Sequence, residues 1–231
     1  MTNKTLGILG AMSVEIDAIK QMVKTPEVTK IGGVEFVRGS IGSQEVVVAQ
    51  CGIGKVFAGI AAQTMILSFG VDAVINVGVA GTLSSRVGLL ELAIATEVVQ
   101  HDMDTSPLGD PVGLISGINK VKLPASADLC DRIAKTAESL GIPYAKGVIA
   151  SGDQFIADRA KKEWIRDTFD AIACEMEGAA IGQVCYASGI DFAILRAISD
   201  NADDAAGTMD YPTLCTRAAA QTQRLIESML S

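Results

Sequence analysis

Four carboxylates stand where an apolar chain has least use for charge. Glu15 follows the apolar stretch Leu6–Met12, Glu175 and Glu177 lie within Ala171-Ile-Ala-Cys-Glu-Met-Glu-Gly-Ala-Ala180, and Asp200 closes Phe192-Ala-Ile-Leu-Arg-Ala-Ile-Ser-Asp200. A buried carboxylate costs free energy unless it is paired or put to use. Such acids can protonate a leaving group, take a proton from water or grip neighbouring hydroxyls. Local pattern alone reads Glu15 equally well as an exposed first-turn acid facing a helix dipole. Asp200, between Ser199 and Asn201, has no such simple explanation. Arg196, four residues earlier, shares its face in an extended chain and offers an ion pair. Glu175 and Glu177 also share a face if extended, which suits a bidentate grip on two hydroxyls.

Other chemistries fit less well. Gly52-Ile-Gly-Lys55 has Ala49 and Val56 where a phosphate-binding Walker loop needs Gly and Ser or Thr. Gly7-x-x-Gly10 and Gly78-x-x-Gly81 fall short of the dinucleotide pattern and read as close packing of strand on helix. Ser151 lies outside any G-x-S-x-G elbow, and His101 is the single histidine, in a His101-Asp-Met-Asp104 run with too few ligands for a closed metal site. His101 is expected to be a loop or interface residue, and no metal is expected.

These acids need elements to hold them. Thr5 to Leu9 reads as a strand, with a helix from Ser13 as its cap; Val34 to Ser40 and Glu45 to Cys51 read as a hairpin. Lys55 to Phe69 is helical, Asp72 to Val77 a strand running into a turn at Gly78–Gly81, and Leu90 to Gln100 a strand before a long loop over 101–122. A helix capped by Ser126, a strand Tyr144 to Ala150, a helix Ala157 to Arg166 and a strand Ala171 to Cys174 follow. A helix Gly178 to Ala187, a strand Phe192 to Ile198 and a helix Tyr211 to Leu230 close the order. The alternation predicts a doubly wound α/β domain over 1–231, with acids at strand ends where such sheets bind ligands.

Composition agrees. The 231 residues are 49% hydrophobic and only 4% aromatic, a small-aliphatic core of the kind that covers a sheet on both faces. A net charge of -8 disfavours nucleic acid. The five cysteines are scattered and read as reduced core residues, and no run has the length of a membrane span or the pattern of a signal peptide. A cytoplasmic protein is expected.

Taken in order, Gly10-Ala-Met-x-x-Glu15, Gly52-Ile-Gly-Lys55, Gly78-x-Ala-Gly81, Ser151-Gly-Asp-x-Phe155, Glu175-Met-Glu177 and Arg196-Ala-Ile-Ser-Asp200 resemble the 5'-methylthioadenosine/S-adenosylhomocysteine nucleosidases. The resemblance runs through nearly the whole chain. It implies a nucleoside phosphorylase-like fold, a three-layer α/β/α sandwich around a mixed central sheet, in a homodimer that works without metal or organic cofactor. By the same resemblance Asp200 protonates adenine N7 with Ser199 orienting it, and Glu15 activates water. Glu177 and the Met176 backbone bind the ribose hydroxyls, Phe155 stacks on the base and the Ile156 backbone reads its edge. Ala11, Ile53, Ala80 and Gly81 match further pocket positions, Arg196 organises the carboxylates, and Met209 replaces a pocket aromatic.

Two readings compete with a nucleosidase: a purine nucleoside phosphorylase, and a non-catalytic nucleoside-binding protein on the same fold. Glu15 stands where the phosphorylases carry an anion-binding arginine motif, which favours water as nucleophile. Val79 replaces a small polar residue common in the family, and the loop 102–113, expected near the partner subunit's site, lacks the usual aromatics. The preferred 5'-group, among methylthioadenosine, S-adenosylhomocysteine, 5'-deoxyadenosine and aminodeoxyfutalosine, is therefore left open.

Overall fold

In the computed structural model, residues 4–203 and 211–231 are described. The apolar run Leu6–Gly10 forms β1, buried throughout, and Ser13–Met22 forms α1. The N-cap is Met12, one residue before the expected Ser13. Glu15, at the third position of the helix, reaches back to accept the N–H groups of Met12 and of Ala11 before it, the glutamate half of a capping box.

Lys24–Ile31 forms β2, a strand the sequence reading lacks, because seven of its eight residues are exposed and no apolar alternation marks it. The expected hairpin is present as Val34–Ile41 (β3) and Gln44–Gln50 (β4). Lys55–Phe69 (α2) leads to Ala73–Thr82 (β5). The turn expected at Gly78–Gly81 is instead the second half of β5. Leu92–Gln100 (β6) is followed by a segment carrying a 3-10 turn at Ser106–Leu108 and the short strand Lys122–Pro124 (β7). Ala127–Ser139 (α3), Tyr144–Ser151 (β8) and Arg159–Phe169 (α4) come next. The last of these starts two residues late because Asp158 caps it, accepting from Lys161 N at 2.7 Å. Ala171–Glu175 (β9), Gly178–Ser188 (α5), Asp191–Asp200 (β10) and Tyr211–Leu230 (α6) complete the order.

The strands form one mixed sheet in the order β2-β3-β4-β1-β5-β9-β8-β6-β10, and β10 returns to pair with β5. The strands β5, β9, β8, β6 and β10 thus close into a ring, and β1 to β4 extend from it as an open wing. β5 runs parallel to β1 on one side and to β10 on the other. α1, α3 and α6 cover one face, where Ile16, Ile133 and Leu225 meet Ile8, Ile75 and Leu195. α2 and α5 cover the other, where Ala58, Met65 and Ile181 meet Leu9, Val74 and Ile194. This is the expected three-layer sandwich. Gly7 of β1 shows why small residues recur: a Cβ there would stand 2.9 Å from Met65 Sδ of α2. The five cysteines are all buried and free. Among the described residues, no helix is long and apolar enough to cross a membrane.

Candidate active site

The C-terminal ends of β1, β5, β9 and β10 converge on a half-open cleft, at the edge where α/β sheets take ligands. Glu15 enters it from the first turn of α1 and is 2% exposed. Its Oε2 accepts from Ala11 N and Met12 N at 2.8 and 2.9 Å, and its Oε1 from Val79 N at 3.0 Å. The exposed first-turn reading is thereby excluded. Burial lifts its pKa above the ordinary carboxylate value, against the opposing pull of the Arg196 charge and the three N–H groups.

Asp200, at the end of β10, is 8% exposed. Ala202 N donates to its Oδ1 at 2.8 Å and the Ser199 hydroxyl to its Oδ2 at 2.9 Å. Burial raises its pKa, and these two bonds offset that only in part. Ser199 Oγ also lies 3.4 Å from the Ala80 carbonyl, so its one proton has two acceptors.

Arg196 does not pair with Asp200. The register of β10 against β5 breaks between Ile198 and Asp200, which turns Asp200 out of the row that Arg196 occupies. Arg196, fully buried, donates instead to Glu175 and Asn76 and lies 3.5 Å from Glu177 Oε2. Glu175 also accepts the Ser151 hydroxyl and the N–H groups of Glu177 and Gly178 at the start of α5. Its oxygens are consumed, so the side-by-side grip expected of Glu175 and Glu177 does not form. Glu177 is itself the α5 N-cap, at φ -133 and ψ -39, bent out of the extended geometry that a shared face requires. Its Oε1 accepts from Gly54 N at 2.9 Å. Burial and then the Glu175 charge push its pKa up to about 7, with Arg196 and the Gly54 N–H opposing.

The two glycines of β5 have a purpose that neither dinucleotide binding nor helix packing supplies. A Cβ at Gly78 would collide with Arg196 Nη1 and stand 2.6 Å from Glu15 Oε1; one at Gly81 would stand 2.7 Å from Asp200 Oδ1. The bare backbone of β5 is what lets both acids and the guanidinium approach it.

The remaining walls are mostly apolar. Ala11, Ile53, Ala80, Gly81, Phe155, Met176, Glu177 and Ser199, which the resemblance assigns to the pocket, line the cleft with Glu15 and Asp200. Ile156 lines an adjoining recess together with Gly81, Phe155 and Asp200. Met209 lies outside the described residues. Sequence reasoning missed Met12, Cys174 and Tyr211 as wall residues. The first two directly precede or sit within matched motifs, a signal that adjacency could have supplied. Tyr211 carries no such mark; its ring meets Phe155 edge to face, with centroids 5.7 Å apart. Val79 adds a further apolar wall beside Glu15.

His101 follows β6 and is 1% exposed, with no hydrogen-bond partner for either ring nitrogen among the described residues. No group of three or more His, Cys, Asp or Glu among the described residues is placed to hold a metal ion.

Comparison with known proteins gives concordant matches. The sequence model of the phosphorylase superfamily matches residues 5–231. An aminodeoxyfutalosine nucleosidase of Helicobacter pylori strain J99 is 38% identical over 226 residues, covering 97% of each chain. A 5'-methylthioadenosine/S-adenosylhomocysteine nucleosidase of Shewanella halifaxensis is 34% identical over 227 residues, 97% of this chain and 98% of the relative. Among solved structures, a Helicobacter pylori 5'-methylthioadenosine/S-adenosylhomocysteine nucleosidase superimposes with a TM-score of 0.93 at 38% identity, over 99% of this chain and 98% of that one. It was solved with a ligand that joins an aminopyrrolopyrimidine to a thioether-bearing pyrrolidinol.

Proposed function

The chain belongs to the phosphorylase superfamily, and from that premise we propose a nucleosidase that hydrolyses the N-glycosidic bond of 5'-substituted adenine nucleosides. The observation that carries the reading is the pair of buried acids on opposite flanks of β5. Glu15 accepts only backbone N–H groups, and Asp200 carries a raised pKa beside a switchable serine hydroxyl.

In the reaction, the bond from the anomeric carbon to N9 breaks as its electron pair moves into the purine. Asp200 delivers a proton to N7, so adenine leaves neutral. As Asp200 becomes anionic, the Ser199 hydroxyl and the Ala202 N–H receive the charge. Glu15 takes the proton of the water whose oxygen attacks the anomeric carbon, and its negative charge steadies the cationic sugar. Glu177 and the Met176 backbone hold the ribose hydroxyls, Phe155 stacks on the base and the Ile156 backbone reads its edge. The products are adenine and the free 5'-substituted ribose.

Water rather than phosphate is the nucleophile. Among the described residues lining the cleft there is no arginine or lysine, and Val79 presents a hydrocarbon wall next to Glu15. A phosphate there would meet lining carboxylates and no lining cation. The decisive experiment is a panel of methylthioadenosine, S-adenosylhomocysteine, 5'-deoxyadenosine and aminodeoxyfutalosine, followed for free adenine with and without phosphate. Release that requires phosphate would make the enzyme a phosphorylase, and binding without release would make it a nucleoside carrier.

The proposal includes one domain over 1–231, a cytoplasmic location and a homodimer. Ile53, Val56, Phe57 and Ile60 give the start of α2 an exposed apolar face, which supports burial against a second copy. Leu108, 83% exposed at the tip of the loop 102–113, supports that loop reaching the partner's cleft. Equilibrium sedimentation tests the dimer directly.

A further inference from the structure

The mechanism leaves one motif without a task. Gly52-Ile-Gly-Lys55 contributes Ile53 to the cleft, yet its most elaborate contacts point away from it. Lys55 Nζ lies 2.6 Å from Asp102 Oδ1 and 3.1 Å from Gln100 Oε1, both beyond the end of β6 or at it. Asp102 Oδ2 accepts from Asp153 N at 2.9 Å, and Asp153 Oδ1 accepts from Lys55 N at 2.8 Å. Three loops, after β4, β6 and β8, are thus knotted by two carboxylates, one ammonium and two backbone N–H groups. The ion pair is largely buried, with side chains 19% and 16% exposed.

The residue so fixed is Gly54. It sits between Ile53 and Lys55 at φ +98, a conformation that side-chain-bearing residues rarely adopt, and a Cβ there would stand 3.0 Å from Asp153 Oδ1. Its N–H points the other way and donates to Glu177 Oε1 at 2.9 Å, across 123 residues of sequence. Glu177 Oε2 is 3.5 Å from Arg196 Nη2. The carboxylate is therefore held at both oxygens, by the Arg196 guanidinium from within the sheet and by a single backbone N–H from the knotted loop. Without the second hold, a side chain with three rotatable bonds is free to swing toward the guanidinium.

We infer that Lys55 and Asp102 are positioning residues for the ribose-binding carboxylate, acting through the Gly54 N–H that orients Glu177. The inference rests on the reading that Glu177 binds the ribose hydroxyls. The knot acts on ligand recognition, and its effect belongs to hydroxyl-bearing sugars alone. It touches neither the proton donor nor the water-activating acid, so the chemical step is spared.

Lys55→Met removes both Nζ contacts and keeps the backbone N–H that bonds Asp153; Asp102→Asn weakens the same knot from the other side, and Lys55→Arg restores a cation. The measurements are kcat and KM for methylthioadenosine, with Kd for methylthioadenosine and for its 2',3'-dideoxy analogue as a binding probe, and with Glu177→Gln as reference. The expected result is KM and Kd for methylthioadenosine raised about ten-fold in Lys55→Met and Asp102→Asn, kcat within about three-fold of the parent, the dideoxy Kd unchanged, and recovery in Lys55→Arg. If Glu177→Gln discriminates the two ligands while the knot variants bind both as the parent does, the inference is overturned and the ribose reading stands. If Glu177→Gln itself leaves both Kd values alone, the ribose reading fails first. Equal weakening of both ligands in the knot variants would mean a general loosening of the cleft and would also overturn the inference. Circular dichroism melts identify any variant that fails to fold, in which case Asp102→Asn carries the test.

Discussion

Glu177 lets the cost of holding a charge in the cleft be measured. Its carboxyl titrates near 4.5 in an unfolded chain and at about 7 in the fold, where burial and the neighbouring Glu175 disfavour its charge. Below pH 4.5 it is protonated in both states and adds no penalty. As pH rises from 4.5 toward 7 the unfolded chain gives up its proton while the folded carboxyl keeps it, so the native state loses stability across this window, and the loss levels off once the folded group ionises as well. At about 1.4 kcal/mol for each tenfold difference in proton affinity, the loss amounts to about 3 kcal/mol, complete above pH 8. Glu177→Gln removes the titration and keeps an oxygen for the Gly54 N–H. Any fixed difference between amide and carboxylate is independent of pH and cancels in the comparison. The stability of the variant relative to the parent should therefore rise by about 3 kcal/mol between pH 4.5 and pH 8, or about 6 to 12 °C in melting temperature for a chain of this size. The assay is a pair of thermal melts across a buffer series, without ligand and at one fixed protein concentration, since association shifts the midpoint. A difference that stays flat across the series would refute the reasoning, because it would mean that Glu177 is already ionised without strain in the fold.

Four further outcomes are expected. Asp200→Asn should lower kcat for adenine release by about two to four orders of magnitude while methylthioadenosine still binds, as titration calorimetry would register; near-normal turnover removes Asp200 from the proton transfer. The profile of kcat/KM against pH should be bell-shaped: activity rises as Glu15 loses its proton and falls as Asp200 loses the one it must donate, and both limbs lie above the ordinary carboxylate range because both pKa values are raised. Glu15→Gln should be slow, folded and without the acid limb, and a surviving acid limb would assign it to another group. Gly78→Ala should destabilise the protein by about 1 to 3 kcal/mol and depress the rate, since its methyl group displaces Arg196 and Glu15 together; a melt and a rate matching the parent would show that the guanidinium has room to yield.

Much of this was legible in the sequence, for reasons that can be named residue by residue. Continuous apolar runs such as Leu6–Leu9 and Phe192–Ile198 mark strands covered on both faces, and they gave the layer order and the placing of Glu15 and Asp200 at strand ends. β2 was hidden because almost all of it faces solvent, where pairing with β3 leaves no hydrophobic signature. Gly78–Gly81 looked like a turn because local propensity cannot register that a strand needs bare backbone to admit acids from both sides. The division of labour among the acids was readable in kind but not in partners. A two-residue strand period puts Arg196 beside Asp200 and Glu175 beside Glu177, and both pairings fail where the backbone departs from it, at the irregularity after Ile198 and at the α5 cap. Tyr211 is the first residue of a helix and faces the cleft only because α6 docks beside Phe155.

The glycines of β5 finally set a length scale. Glu15 lies over Gly78 and Asp200 over Gly81, so the points at which the two acids meet β5 are three residues apart, about 10 Å of extended backbone. A strand, unlike a loop, cannot be lengthened by a fraction of an ångström; its spacing changes only in whole residue steps, each of which also reverses the side of the sheet that a residue faces. The places at which β5 admits the two acids can therefore be shifted only in discrete steps. Finer adjustment of the cleft must come from the loops around it, whose lengths and shapes can vary continuously.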